Sequence, residues 1–149
     1  MGFEIEEPCV FVNWGISEAR LLALFEPRTL KRVTEGYYAM PCQSLGGLRH
    51  ELGFHFEPRK DGRLVYLEFF RKHYEDLAVS FNEFQEHVES HFGPATSRLA
   101  SWIGLPAFHW KIDDVEIWHY ALDRFGPEEH LAMRSDGKVP TYWKSAVKV

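Results

Sequence analysis

The sequence predicts an α+β fold, in which an antiparallel β-sheet carries two main helices on one face. One observation is a segment with apolar residues at helical spacing, and a second is a set of segments in which apolar and polar residues alternate as in half-buried strands. The third is an aromatic content of 15%, with 12 Phe, 6 Tyr and 5 Trp, which supplies large side chains for a β-rich core. Because 149 residues is close to the length of one ordinary domain, we expect residues 1–149 to form a single domain.

In the first half of the chain we expect a short strand, a helix and a hairpin. Residues 9–12 favour the strand, and residues 17–25 place apolar side chains at helical spacing. Residues 48–57 alternate apolar and polar side chains and predict the first arm of the hairpin. Residues 58–62 supply a turn that ends in Asp-Gly, a pair suited to positive φ, and residues 64–70 form the second arm.

The clearest helix lies in the second half. Ser80 and Glu83 have the spacing of a capping box, in which a hydroxyl is the N-cap and a carboxylate follows three residues later. Apolar residues then recur at helical spacing as far as Phe92, where Gly93-Pro94 ends the helix. Strands are predicted at 108–112, 115–124 and 130–134. The tail at 140–149 has weak periodicity, and we expect it to be loose in part.

The two predicted helices end in similar sequences, F-E-P-R-T at 25–29 and F-G-P-A-T at 92–96. Three strands are predicted after each helix, so the pattern suggests two copies of a helix-plus-three-strand unit, at about 13–71 and 80–134. Chance similarity of a short motif is the alternative. In a duplicated sheet with both helices on one face, the other face would be open to solvent and to a partner.

Composition and charge disfavour several classes of protein. The net charge of −5 and the pI of about 5.9 argue against a nucleic-acid binder, which usually has a basic surplus. The acidic N-terminus does not have the features of a signal peptide, and no apolar run is long enough for a transmembrane helix. Cys9 and Cys42 have no metal-ligand spacing, so we interpret both as reduced thiols of a cytoplasmic protein.

The sequence contains none of the common nucleotide-binding, hydrolase or zinc-protease motifs, so we expect no cofactor and name no catalytic residue. His87 and His91 stand four apart on the predicted helix and, with Glu83, are candidate zinc ligands. We favour a structural or solvent-facing role for both histidines. The histidines in predicted strands are expected at strand surfaces: His50, His55, His109, His119. The adjacent carboxylates Glu128 and Glu129 are expected to diverge into water.

The distribution of charge predicts a protein-binding surface. No Lys or Arg occurs between His73 and Ser97, and this stretch includes Glu83, Glu86 and Glu89. The predicted second hairpin adds carboxylates and an aromatic residue of a type common at interface hot spots: Asp113, Asp114, Glu116, Trp118. An acidic face of this kind steers a basic partner toward itself, although a solvated helix face is the simpler alternative.

A helix ending in F-G-P, followed by a Trp-bearing strand and an aromatic partner strand, resembles the small α+β domains found among bacterial immunity proteins. The doubled pattern is also similar in outline to the secreted β-lactamase inhibitor protein, whose disulfides and signal this chain lacks. The resemblance implies a cytoplasmic bacterial inhibitor without a catalytic site. It would cover the active site of a basic protein toxin, and a nuclease would suit because its site must attract phosphate.

Two other hypotheses remain open at this stage. One is a small metal-dependent or other enzyme that uses His87, His91 and nearby carboxylates. The other is a structural subunit of a larger assembly, with a constitutive partner. The sequence leaves the oligomeric state open.

Overall fold

A computed structural model describes residues 1–148 and confirms the α+β class with antiparallel strands. The chain divides into two compact units, Met1–Phe70 and Arg71–Val149, called here unit 1 and unit 2. In each unit a helix precedes four antiparallel strands that pair in sequence order. Each helix is thus followed by four strands and not by the three that were predicted. The additional strand comes first in each unit and is short, at Lys31–Thr34 in unit 1 and at Ser97–Leu99 in unit 2. Within residues 1–148, no helix is long and apolar enough to cross a membrane.

Unit 1 begins with a two-stranded ribbon and continues with a helix and a four-stranded meander. Its elements are β1 (Gly2–Ile5), β2 (Val10–Asn13), α1 (Glu18–Ala23), β3 (Lys31–Thr34), β4 (Tyr37–Ser44), β5 (Leu48–Glu57) and β6 (Arg63–Phe70). The hydroxyl of Ser17 caps α1 by accepting a hydrogen bond from the Arg20 backbone N–H, and Leu21 is the buried residue of this helix. The predicted hairpin at 48–70 is confirmed, with Asp61 at a φ of 55° in its turn.

Unit 2 has a long helix, a meander of four strands and a short helix in the tail. Its elements are α2 (Leu77–Phe92), β7 (Ser97–Leu99), β8 (Ala107–Ile112), β9 (Val115–Asp123), β10 (Pro127–Arg134) and α3 (Trp143–Ala146). The three strands predicted in this region are confirmed to within a few residues.

The N-terminus of α2 differs from the predicted capping box. Asp76 is the N-cap, and its carboxylate accepts a hydrogen bond from the Val79 backbone N–H at 3.2 Å. The helix therefore begins one turn earlier than predicted, and Ser80 lies inside it as a buried residue. The end of the helix is as predicted, with Gly93 at a φ of 88°.

The tail covers one face of the sheet in unit 2. Alternation along β9 directs His119 toward α2, whereas Trp118 and Tyr120 face the opposite side. On that opposite side, Ala146 and Val147 from the tail complete a buried cluster with these rings. The expectation of an open second face is therefore wrong for unit 2, and the tail packs as far as residue 148. Val149, the last residue of the tail predicted to be loose, lies outside the described residues.

Candidate functional site

The predicted acidic face of α2 is present, but its three carboxylates differ in their surroundings. Glu83 is paired with the guanidinium of Arg71. Glu86 and Glu89 are both exposed, and both line an open groove of about 570 Å³ beside the C-terminal half of the helix. Glu83 therefore already has a cationic partner within the chain, whereas Glu86 and Glu89 line the groove.

The rest of the groove is mainly apolar. Its apolar lining residues, called here the floor of the groove, are Pro94, Ala95 and Phe108. Phe108 is placed by β8 and lies near the Phe81 ring of α2, with ring centroids 6.3 Å apart. At the rim, the guanidinium of Arg98 lies 5.7 Å from the centroid of the Phe108 ring. The groove thus combines two carboxylates and one guanidinium with an aromatic and aliphatic floor.

The partner-binding residues predicted in the second hairpin do not line this groove. Asp113 and Asp114 are exposed in the turn between β8 and β9, and neither lines the groove. Glu116 is half-buried and lies 3.0 Å from Nε2 of His109. Trp118 is only 2% exposed, so this ring belongs to the core and offers no surface to a partner.

The two candidate metal ligands do not form a metal site in the described part of the chain. His91 is exposed and His87 is half-buried. Among residues 1–148, no group of three or more His, Cys, Asp or Glu side chains is placed to hold a metal ion. The hypothesis of a zinc site built from Glu83, His87 and His91 therefore gains no support from the geometry.

A buried polar network, not predicted from the sequence, lies between α2 and the sheet of unit 2. At its centre is His119, which is 0% exposed and stacks on the Phe81 ring with centroids 3.8 Å apart. Nδ1 of His119 lies 2.7 Å from Oε1 of Gln85, and Nε2 lies 2.7 Å from Oε2 of Glu129. The predictions of a strand-surface His119 and a water-facing Glu129 are wrong, because both side chains point inward beneath α2.

The partners fix the proton positions in this network. The Gln85 amide N–H donates to Glu89 at 2.6 Å, so the amide oxygen faces His119 and Nδ1 of His119 must carry a proton. Only one further proton fits between Nε2 and the carboxylate of Glu129. Burial lowers the pKa of His119 from its usual value near 6.5, while the hydrogen bond and charge of Glu129 oppose that shift.

The network includes a serine but does not have the arrangement of a nucleophilic triad. The Ser80 hydroxyl donates to Glu129 at 2.6 Å rather than to the histidine, and it accepts from Arg71 at 3.2 Å. A nucleophilic serine needs the imidazole as its hydrogen-bond partner, so that the ring can remove its proton. Since Ser80 is also only 2% exposed, we assign it a structural role.

Unit 1 has a smaller buried group around His50. The Nδ1–H of His50 donates to the Glu51 carbonyl, which leaves Nε2 to accept from the Ser44 hydroxyl at 2.6 Å. Sγ of Cys42 lies 3.7 Å from the same Nε2. Burial, with the charges of Glu51 and Glu6, raises the pKa of Cys42 to about 12, so the sulfur remains a thiol and not a reactive thiolate at neutral pH.

A ladder of three stacked rings crosses the outer face of the sheet in unit 1. His55 lies between Tyr37 and Tyr66, with centroid separations of 4.2 and 4.4 Å. Oε1 of Glu68 forms a hydrogen bond with Nε2 of His55 at 3.1 Å. Burial, followed by the charge and hydrogen bond of Glu68, raises the pKa of Tyr37 to about 12. The rings join three neighbouring strands, and cross-strand contacts of this kind stabilise a sheet.

Comparisons with known proteins add little to this geometry. No family model matches the chain. No curated protein matches it. Among solved structures, the chain is similar to a DUF4309 family protein (YjgB) from Bacillus subtilis, at 13% sequence identity and a TM-score of 0.39. That similarity covers 79% of this chain and 77% of the other.

Proposed function

We propose that this chain is a protein-binding module, and that it acts as an immunity protein that neutralises a basic protein toxin. One observation carries the proposal. Glu86 and Glu89 stand exposed beside a groove whose floor is formed by Pro94, Ala95 and Phe108. This surface, called here the α2 groove, suits lysine and arginine side chains from a partner.

The chemistry of the groove matches both parts of such side chains. Lysine and arginine have an aliphatic stem that packs on apolar surface and a charged end that seeks a carboxylate. Phe108 offers the apolar contact and Glu86 and Glu89 offer the charge. Because the two carboxylates are exposed to solvent, we expect them to act mainly on the rate of association.

Inhibition would follow from occlusion. A nuclease toxin must present positive charge at its active site in order to hold phosphate. An acidic groove that binds those positive side chains covers the site and competes with the substrate. The mechanism requires no catalytic group on this chain.

The test compares three forms of the tagged protein in pull-downs from its source cells: the native chain, the variant E86K/E89K and the control E75K. Glu75 is an exposed carboxylate of unit 2 outside the groove. We expect the native chain and E75K to retain a basic protein that is toxic alone and harmless when co-expressed with this chain. Binding kinetics with that purified protein should show association at least about ten-fold slower for E86K/E89K.

Two results would contradict the proposal. Equal association rates for the native chain and E86K/E89K would exclude the α2 groove as the contact surface. A retained protein that is not toxic, or whose toxicity this chain does not relieve, would exclude the immunity function. All three positions are exposed, but Glu89 also accepts a hydrogen bond from Gln85, so a folded state for each variant is checked first by circular dichroism.

A further inference from the structure

Strand β7 is the edge of the sheet in unit 2. Within residues 1–148, it is the last strand in the sheet order and pairs with β8 on one side. Backbone groups of a strand point alternately to its two sides, so a strand that is paired on one side presents the other set outward. Ser97 and Arg98 are exposed and Leu99 is half-buried.

The segment directly after β7 already bonds to an antiparallel chain. Ser101 forms a β-bridge with Val147 of the tail. The Lys148 N–H donates to the Ala100 carbonyl at 2.8 Å, and the Trp102 N–H donates to the Ala146 carbonyl at 3.3 Å. Backbone pairing therefore occurs along this stretch of chain immediately beyond Leu99.

Two grooves border β7, and Arg98 lines both of them. Arg98 points to the α2 face, where its guanidinium lies over Phe108 and lines the α2 groove. Leu99 points to the other face, where it packs against the cluster that contains Trp118. A second groove, of about 340 Å³, is lined by Leu99, by Arg98 and by mostly small and apolar residues of the segment that follows β7: Ala100, Ser101, Gly104, Leu105, Pro106.

We propose that the partner binds by adding an extended segment to the edge of β7, with basic and apolar side chains in alternation. Successive side chains of a strand point to opposite faces of a sheet. Every second side chain of the added segment would enter the α2 groove and meet Glu86 and Glu89. The side chains between them would enter the apolar groove beside Leu99 and Leu105. This mode rests on the proposed function, because it names the segment that the α2 groove receives.

The experiment uses a synthetic peptide of about ten residues in which arginine and valine alternate, with two N-methylated forms. One form has methyl groups on the arginine backbone nitrogens and the other has them on the valine nitrogens. Both forms keep every side chain, but each blocks the hydrogen bonds on one side of the strand. Binding is measured by titration of the isotope-labelled full chain, with the amides of Ser97–Leu99 followed by NMR.

We expect the unmodified peptide to bind and to slow the hydrogen exchange of an outward-facing amide in β7. One methylated form should bind roughly ten-fold more weakly, since it loses backbone hydrogen bonds, and the other should bind like the unmodified peptide. Equal affinity for all three peptides would overturn strand addition. If the variant E86Q/E89Q then fails to bind any of them, the α2 groove remains a charge-recognition site.

Absence of binding by the unmodified peptide would also overturn strand addition. The proposed function is decided separately, by the pull-down and toxicity test.

Discussion

The ring of His119 is held by hydrogen bonds at both nitrogens in a site without solvent access. The Gln85 oxygen requires a proton on Nδ1, and Oε2 of Glu129 lies 2.7 Å from Nε2, where a second proton would be taken up. Because the ring is buried, the ease of taking up this second proton differs between the folded and the unfolded protein.

The direction of the pH effect follows from the lowered pKa. The unfolded chain has an ordinary histidine that takes up a proton as the pH falls through about 6.5. In the folded protein burial lowers the pKa of His119, so the folded state binds this proton only at lower pH. The contribution of His119 is thus fully present above about pH 6.5 and is lost as the pH falls, with a slope of at most about 1.4 kcal/mol per pH unit.

We predict that the free energy of unfolding falls between pH 7.5 and pH 5.5, and that the variant H119Q shows a smaller fall. The glutamine keeps hydrogen-bonding groups near Gln85 and Glu129 but does not titrate. Urea unfolding at several pH values measures both slopes. The control H91Q removes an exposed histidine and should leave the slope unchanged. Equal slopes for H119Q and the native chain would show that His119 does not govern the acid sensitivity.

At the scale of elements, the position of one N-cap decides what Ser80 does. The sequence places Ser80 and Glu83 at the spacing of a capping box, but Asp76 offers a capping carboxylate four residues earlier. Because α2 begins at Leu77, Ser80 turns inward and bonds to Glu129. Asp76 and Ser80 are therefore alternative N-caps for this helix. The hydrogen bond from Ser80 to Glu129 of β10 favours the start at Asp76.

We predict that D76A lowers the free energy of unfolding by about 1 kcal/mol, the usual cost of a lost N-cap. S80A should also lower it, by about 1–3 kcal/mol, since it removes a hydrogen bond from a buried carboxylate. Urea denaturation measures both values, and N82A serves as the control at an exposed position inside the helix. A D76A variant as stable as N82A would mean that Asp76 does not cap α2 in solution.

At the scale of the whole molecule, local patterns predicted most elements and few of the contacts between them. Alternation of apolar and polar residues located β5, which has a buried and a less buried face along most of its length. The packing of the tail at 140–148 was not predicted, because its apolar residues do not recur at helical or strand spacing. Their positions are explained by the sheet face that they contact. The bounds of β1, β3, β4 and β7 were not predicted, and β3 and β7 have few buried positions that would indicate a strand.

The same division applies to the candidate site. Glu86 and Glu89 were predicted because a stretch without Lys or Arg is visible in the sequence. The apolar floor of the groove depends on Phe108 from another element, so the sequence could not show it. The network around His119 joins residues that are 34 and 10 positions apart. Strand parity in β9 was the one available signal, because it places His119 on the same face as the buried Ile117.

The aromatic ladder of unit 1 also provides a spectroscopic signal of tertiary structure. Tyr37 and Tyr66 are held in fixed stacking with His55, an asymmetric setting that produces near-ultraviolet circular dichroism. Four of the five tryptophans, in contrast, belong to unit 2, so fluorescence reports mainly on that unit: Trp102, Trp110, Trp118, Trp143. A thermal melt recorded with both signals therefore distinguishes one cooperative transition, in which the midpoints coincide, from units that melt separately.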